Sequence, residues 1–139
     1  EVRMAMTRLV EYEDASPEVK AVFDDIMATR KSDWINNIWK ALAVHPPTLA
    51  STWAQVKEVM GPGGRLDPLT KELIYIAVSM TNNCEYCIHS HTAAARTKGM
   101  DAEIFGELSR IVALANYTNR LAISYQIEVD PQFKLQFEG

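Results

Sequence analysis

Hydrophobic residues recur every three or four positions along most of the chain, the spacing that places them on one face of an α-helix. Ser16-Pro17 is a typical helix start, a capping side chain followed by proline at the first helical position. We predict a helix of about four turns from there, with the apolar positions Val19, Val22, Phe23, Ile26 and Met27. No stretch alternates in the manner of a strand and no internal repeat is present, so the pattern predicts an all-α fold.

Two more helices are predicted before the middle of the chain. The first runs from about Trp34 to Val44, with the apolar face Trp34, Ile35, Ile38, Trp39 and Leu42. Pro46 and Pro47 end it and open the next helix, whose apolar stripe is Leu49, Trp53, Val56 and Met60. The glycine-rich run at positions 61–64 then marks a loop.

Asp67-Pro68 repeats the helix-start signature and opens a helix that we expect to reach about Thr81. This segment is apolar on nearly all sides, which is typical of a central, buried helix. Asn82-Asn83 breaks it, and a further helix is expected from about Cys84 to Lys98. The two segments therefore predict a central helical hairpin.

Gly99 closes that helix, and Asp101 caps a last long helical region. This region either bends or breaks near Asn116–Asn119 or continues through it, and it stops before Pro131. The chain is therefore predicted to be a bundle of about six to seven helices.

Length and composition restrict the class of protein. A chain of 139 residues with 47% hydrophobic and 23% charged residues is typical of one globular domain, here residues 1–139. The net charge of −4 and the lack of a basic stripe count against nucleic-acid binding. No apolar run approaches the roughly 20 residues that cross a bilayer, and the amino end lacks a signal-peptide core. We expect a cytoplasmic protein with no membrane partner.

The two cysteines share one helix face with a histidine. At about 100° per residue, Cys87 lies about 60° from Cys84 and His91 about 20° from it, whereas His89 falls about 140° away. Two cysteines one turn apart are close enough for a disulfide. The helix N-terminus also favours a thiolate. The C-x-x-C spacing suggests a redox or metal pair in a reducing compartment, and this pair can cycle between dithiol and disulfide.

Glu72 becomes a candidate through the predicted hairpin. If the chain turns at Asn82-Asn83, Glu72 and His91 lie within roughly 3 Å of each other along the helix axis. A carboxylate that orients an imidazole, which in turn takes the proton of a thiol, is the general arrangement of an activated nucleophile. His91 follows Cys87 by one turn and is the better base for that thiol, although pairs of this kind usually attack with the first cysteine.

The spacing Glu72-x₁₁-Cys84-x₂-Cys87-x₃-His91 resembles the active-site signature of the alkylhydroperoxidase D-like, carboxymuconolactone decarboxylase superfamily. The resemblance covers about residues 34–125. It implies an all-helical fold in homo-oligomers, often trimers or hexamers. It also implies that a cysteine pair reduces hydroperoxides without a bound cofactor, and that a dithiol such as a lipoylated protein restores the pair.

The resemblance also implies roles for single residues. Cys87 would attack the peroxide, Cys84 would resolve the product, and His91 with Glu72 would relay the proton. Tyr86 departs from the pattern, because the best-known peroxidase members have a histidine there. A phenol can still donate a hydrogen bond, so Tyr86 is a supporting candidate.

Several alternatives stay open. The same fold serves non-redox chemistry in the lactone decarboxylase branch, although that branch does not depend on a C-x-x-C pair. The chain could instead be a non-catalytic, redox-sensing helical assembly. Cys84, Cys87, His91 and Glu72 also have the right chemistry for zinc, and two cysteines can simply pack in a core. His89 is interpreted as a surface or interface residue, and the three tryptophans as packing residues.

Overall fold

The computed structural model describes residues 5–137, so the predictions that reach residues 1–4 and 138–139 lie outside the described residues. The described part contains α-helices and one short 3-10 helix (Pro131–Phe133), with no strand, so the all-α prediction is confirmed. The α-helices are α1 (Pro17–Arg30), α2 (Asn37–Leu42), α3 (Pro46–Met60), α4 (Pro68–Thr81), α5 (Glu85–Thr97) and α6 (Ala102–Ser124). None of these helices is long and apolar enough to cross a membrane.

The predicted helix starts are made by side-chain caps. Ser16 Oγ accepts a hydrogen bond from the Val19 amide at the start of α1. Asp67 and Asp101 accept from the amides three residues further on, at 3.0 and 2.8 Å. Each cap binds an amide that has no partner inside the helix, which is why the chain turns helical at these positions.

The contacts divide the described residues into two compact units, one ending at Gly61 and the next beginning at Pro62. The prediction of one domain over residues 1–139 stays a prediction. Each unit has its own buried cluster.

The core of the first unit is built around two tryptophans. Trp39 and Trp53 meet edge to face with ring centroids 5.5 Å apart, and the Arg30 guanidinium lies over both rings. The Trp53 indole N–H donates to Asp25 at 2.7 Å. These two residues have the predicted packing role. The other buried members are Val10, Ala15, Val19, Phe23, Ile26, Ile35, Ala43 and Leu49.

The second helix begins later than predicted, so Trp34 lies outside it. The backbone at Asn36 is extended, so α2 begins only at Asn37 and Trp34 precedes the helix. The Trp34 side chain is 65% exposed and does not share the apolar face of α2. The wrong boundary arose because an apolar pattern extends past the point where the backbone turns helical.

In the second unit, α4 and α5 form the predicted hairpin. Asn83 adopts a left-handed conformation with φ of 55°, and the Cys84 amide donates to the Ser79 carbonyl at 2.9 Å. Helix α6 packs on α4. The shared core contains Ile76, Ala95 and Met100, packed against Leu69, Leu73, Met80, Ile104, Phe105 and Leu108.

The expectation that α4 is buried on all sides is wrong for this chain. Ile74 and Val78 are 50% and 54% exposed, and only Glu72, Ile76 and Ser79 are buried in the helix. Since α5 and α6 cover only part of α4, the rest of its apolar surface is left open.

Helix α6 continues without a break through Asn116–Asn119. The Asn116 side-chain amide donates to the Val112 carbonyl of its own helix and to Thr81 Oγ1 of α4. The Asn119 amide likewise donates to the Ala115 carbonyl. The asparagine side chains therefore bond along the helix instead of ending it, and the helix stops at Ser124, before Pro131.

Candidate active site

The two cysteines lie at the start of α5. Cys84 is the N-cap residue with an extended backbone, one residue outside the helix that was expected to include it, and Cys87 lies in the first turn. Both are partly buried thiols. The thiol and the backbone amide of Cys87 lie close enough to the Cys84 sulfur to stabilise a negative charge on it. The two thiols are therefore neighbours at the start of α5, the placement that a dithiol–disulfide pair needs.

The two thiols hold their protons unequally. The hydrogen bonds from Cys87 lower the pKa of Cys84. Burial, followed by the hydrogen bond to Cys84 and the Cys84 charge, raises the pKa of Cys87 to about 11. The first proton to leave the pair is therefore the proton of Cys84. Cys87 keeps its proton by donating it to the neighbouring thiolate, and it needs a base before it can react.

Glu72 and His91 form a hydrogen-bonded pair across the hairpin. Glu72 Oε2 and His91 Nδ1 are 2.7 Å apart. An ionised carboxylate can only accept, so Nδ1 carries the proton and Nε2 is the ring nitrogen that can take another. The predicted proximity of the two residues is confirmed, whereas their catalytic roles stay predictions.

Lys98 binds the second oxygen of the same carboxylate. Its Nζ lies 3.1 Å from Glu72 Oε1. Burial by itself would raise the pKa of Glu72, but the hydrogen bonds from His91 and Lys98 and the charge of Lys98 outweigh it and hold the pKa below its usual value. Glu72 is therefore an ionised, buried group with both oxygens bound.

Tyr75 stacks on the imidazole of His91. The ring centroids are 3.6 Å apart and the planes differ by 22°. Burial, then the negative charges of Cys87, Cys84 and Glu72, raises the pKa of Tyr75. The phenol therefore lies near enough to the thiols and the carboxylate to sense their charges, and it stays protonated.

Lys98 and Tyr75 contact the predicted site residues but were not themselves predicted, although both follow a site residue at helical spacing. Tyr75 follows Glu72 by three residues on α4 and lies about 60° from it. Lys98 follows His91 by seven residues and projects from nearly the same side of α5, about 20° away. Helical register therefore marks Tyr75 and Lys98 as neighbours of Glu72 and His91 along their own helices, whereas the contacts across the hairpin are given only by the structure.

The remaining candidates lie at the margin of the site. Tyr86 is 41% exposed in the first turn of α5. His89 is exposed, in agreement with its predicted placement outside the cluster. Within residues 5–137, no three His, Cys, Asp or Glu side chains are arranged to hold a metal ion, so the zinc alternative gains no support.

The hairpin of this chain carries both a C-x-x-C pair and a carboxylate–imidazole pair. Together they define an all-helical thiol site. The family model described as "Carboxymuconolactone decarboxylase family" matches residues 47–126, more than half of the chain. The chain belongs to the carboxymuconolactone decarboxylase family.

Two comparisons extend this assignment. The crystal structure of an alkylhydroperoxidase AhpD core from Rhodospirillum rubrum is 54% identical and superimposes with a TM-score of 0.91, covering 96% of this chain and 100% of that one. A Paracoccus denitrificans protein described as "Uncharacterized protein 4 in cox locus" is 30% identical over 80 residues, which are 52% of this chain and 72% of that protein. The fold is thus of the alkylhydroperoxidase type.

Proposed function

We propose that this chain is a thiol-dependent peroxidase that reduces alkyl hydroperoxides with Cys84 and Cys87. The observation that carries the proposal is the Glu72–His91 hydrogen bond, on the same hairpin as two neighbouring thiols at the start of α5. The 54% identity to an alkylhydroperoxidase core supports the same chemistry. A chain whose two cysteines form a C-x-x-C pair suits a reducing compartment, so we place the protein in the cytoplasm.

In the first half-reaction, His91 Nε2 takes the proton of the Cys87 thiol while Glu72 stabilises the imidazolium. The Cys87 thiolate attacks the terminal oxygen of the hydroperoxide, and the O–O bond breaks. The leaving alkoxide receives the proton from His91 and departs as the alcohol. Cys87 becomes a sulfenic acid. Tyr86 is the candidate to donate a hydrogen bond to the departing oxygen.

In the second half-reaction, the Cys84 thiolate attacks the sulfur of the sulfenic acid. The S–O bond breaks, a disulfide forms, and the oxygen leaves as water after taking a proton. An external dithiol, such as that of a lipoylated protein, then reduces the disulfide by thiol–disulfide exchange. One hydroperoxide and one external dithiol are consumed for one alcohol, one water and one external disulfide.

The unequal thiols suit this division of roles. The lowered pKa of Cys84 favours a thiolate at this cysteine, the form that attacks the sulfenic acid. Cys87, with its pKa raised to about 11, becomes the stronger nucleophile once His91 has removed its proton.

The test is a titration of thiols with cumene hydroperoxide. We expect two thiols to disappear for each peroxide and a dithiol to restore them. Cys87→Ser should abolish peroxide consumption, whereas Cys84→Ser should leave a sulfenic acid that a dimedone probe traps. If both single variants consume peroxide at the wild-type rate, the proposal is wrong. If the wild type loses no thiols to peroxide, the non-redox chemistry of the family is favoured.

We further propose that the chain works as a homo-oligomer, a trimer or a hexamer. Helix α6 has no buried residue. An apolar arm, which we define as residues 111–137, carries large side chains that are 41% to 102% exposed: Ile111, Leu114, Tyr117, Leu121, Ile123, Tyr125, Ile127, Val129, Phe133, Leu135 and Phe137. Monomers rarely expose a contiguous apolar patch above about 300–600 Å². A second copy of the chain is the occupant that fits this arm, since closed homo-oligomers are the commonest assemblies.

Light scattering after size-exclusion chromatography tests this proposal. The wild type should elute as an oligomer, and Leu114→Glu with Tyr117→Glu should shift it towards the monomer. Glu107→Gln, on the charged amino-terminal half of α6, is the matched control and should leave the mass unchanged. A wild type that is monomeric at micromolar concentration would contradict the proposal.

A further inference from the structure

The imidazole of His91 has two contacts on α4, and only the one with Glu72 belongs to the expected relay. We propose that Tyr75 is a positioning residue that holds the imidazole of His91 by stacking. This inference rests on the proposed thiol chemistry, but it concerns the orientation of one ring and can be tested apart from peroxide reduction.

The two contacts restrict different movements of the imidazole. Glu72 binds the ring edge at Nδ1, which fixes the direction of the ring within its plane. Tyr75 covers the ring face at 3.6 Å between centroids, which fixes the tilt of the plane. With the direction and the tilt both fixed, the direction in which Nε2 points is determined. A base must be aimed at the proton it removes, so the stack contributes to catalysis through His91.

The electrostatics of the stack favour the same function. The face of an aromatic ring is the negative end of its quadrupole, so it attracts an imidazolium more strongly than a neutral imidazole. Tyr75 therefore favours the state in which His91 has taken the thiol proton. The phenol does not compete for that proton, because burial and the neighbouring negative charges raise the pKa of Tyr75.

Two substitutions separate the ring of Tyr75 from its hydroxyl. Tyr75→Phe keeps a flat ring over the imidazole, and Tyr75→Leu keeps apolar volume and helix propensity without a ring. Tyr12→Leu is the matched control: Tyr12 is 36% exposed, close to the 37% of Tyr75, and it stacks on Phe23 in the first unit. Circular dichroism establishes that each variant is folded.

Two measurements are made on each folded variant. The first is the rate of thiol loss with cumene hydroperoxide as a function of pH. The titratable groups around the stacked pair are Glu72, which binds His91, Lys98, which binds Glu72, and the two thiols, whose charges reach Tyr75. The second is the His91 Nδ1–H proton resonance, which is observed by NMR only while the proton exchanges slowly with water.

We expect Tyr75→Leu to lower the rate of thiol loss roughly 3- to 10-fold, the effect of losing one aromatic stack. Its Nδ1–H resonance should broaden through exchange. Tyr75→Phe should restore both the rate and the resonance, and Tyr12→Leu should change neither.

Two results would overturn the inference. One is a Tyr75→Leu variant with the wild-type rate and a sharp resonance. The other is a Tyr75→Phe variant that loses as much as Tyr75→Leu, since the hydroxyl would then be the active group. If the wild type and all variants fail to consume peroxide but the resonance still follows the ring, the proposed peroxidase function fails while the positioning of His91 by Tyr75 stands.

Discussion

Glu72 Oε2 and His91 Nδ1 lie 2.7 Å apart, although the two residues are nineteen positions apart along the chain. The turn between α4 and α5 brings them together, and Lys98 holds the other oxygen of the carboxylate. The hydrogen bonds and the charge of Lys98 outweigh the effect of burial, so the carboxylate is ionised at neutral pH.

The hydrogen bond between Glu72 and His91 should make the free energy of unfolding depend on pH in the acid range. The pKa of Glu72 in the folded chain lies below its usual 4.5, so the contribution of Glu72 is complete above that pH and is lost as the pH falls through the folded pKa. At neutral pH, Glu72→Gln should lower the free energy of unfolding by about 1–3 kcal/mol. Urea unfolding of both proteins from about pH 7 to about pH 3 measures this difference, which should shrink in acid. A difference that stays constant with pH would contradict the account.

The two cysteines should react with an alkylating agent in a fixed order. Hydrogen bonds from Cys87 lower the pKa of Cys84, while burial and the neighbouring sulfur raise that of Cys87 to about 11. Limiting iodoacetamide at neutral pH should therefore label Cys84 first, as peptide mass spectrometry would show. In Cys84→Ser the charge of the neighbouring sulfur is absent, so the pKa of Cys87 should fall towards 9.0. Equal labelling of both cysteines in the wild type would count against a shared proton.

Lys98 should affect both the stability of the chain and the rate of thiol loss, because its ammonium group binds the Glu72 carboxylate. Lys98→Met leaves one carboxylate oxygen without this donor, and we expect a loss of about 1 kcal/mol in unfolding free energy after allowing for solvent at the lysine. The rate of thiol loss with cumene hydroperoxide should also fall, and the pKa of Glu72 should rise. Lys40→Met removes the Lys40–Glu11 pair in the first unit. It should leave that rate unchanged, and an equal fall in both variants would assign the effect to folding.

Gly99 should resist substitution because of its backbone. Its φ is +105°, a region that side chains disfavour, although a Cβ there would meet no atom within 4 Å. Gly99→Ala should therefore lower the free energy of unfolding by roughly 1–2 kcal/mol through backbone strain alone. Thermal unfolding measures the loss. Gly106→Ala, also with open space but inside α6, should be neutral or stabilising; the opposite order would refute the explanation.

Much of the helical architecture followed from local chemistry. Ser16, Asp67 and Asp101 cap their helices as predicted, because a cap depends only on residues within one turn. Trp34 was misplaced for the complementary reason. Periodicity identifies an apolar face, but it does not show where the backbone stops being extended, and here that point is Asn36.

The features of the site likewise fall into those that the sequence determined and those that depend on tertiary packing. The sequence by itself determined that Cys87 and His91, one turn apart on α5, share one side of that helix, since helical periodicity fixes directions within an element. It could not show that Cys84 precedes the helix with an extended backbone. Only the tertiary structure decided that Glu72 is bound from two sides, that Tyr75 covers the imidazole, and that α4 keeps an open apolar surface. These features depend on how helices distant in sequence pack and on which surfaces remain uncovered, and periodicity within one helix contains no information about either.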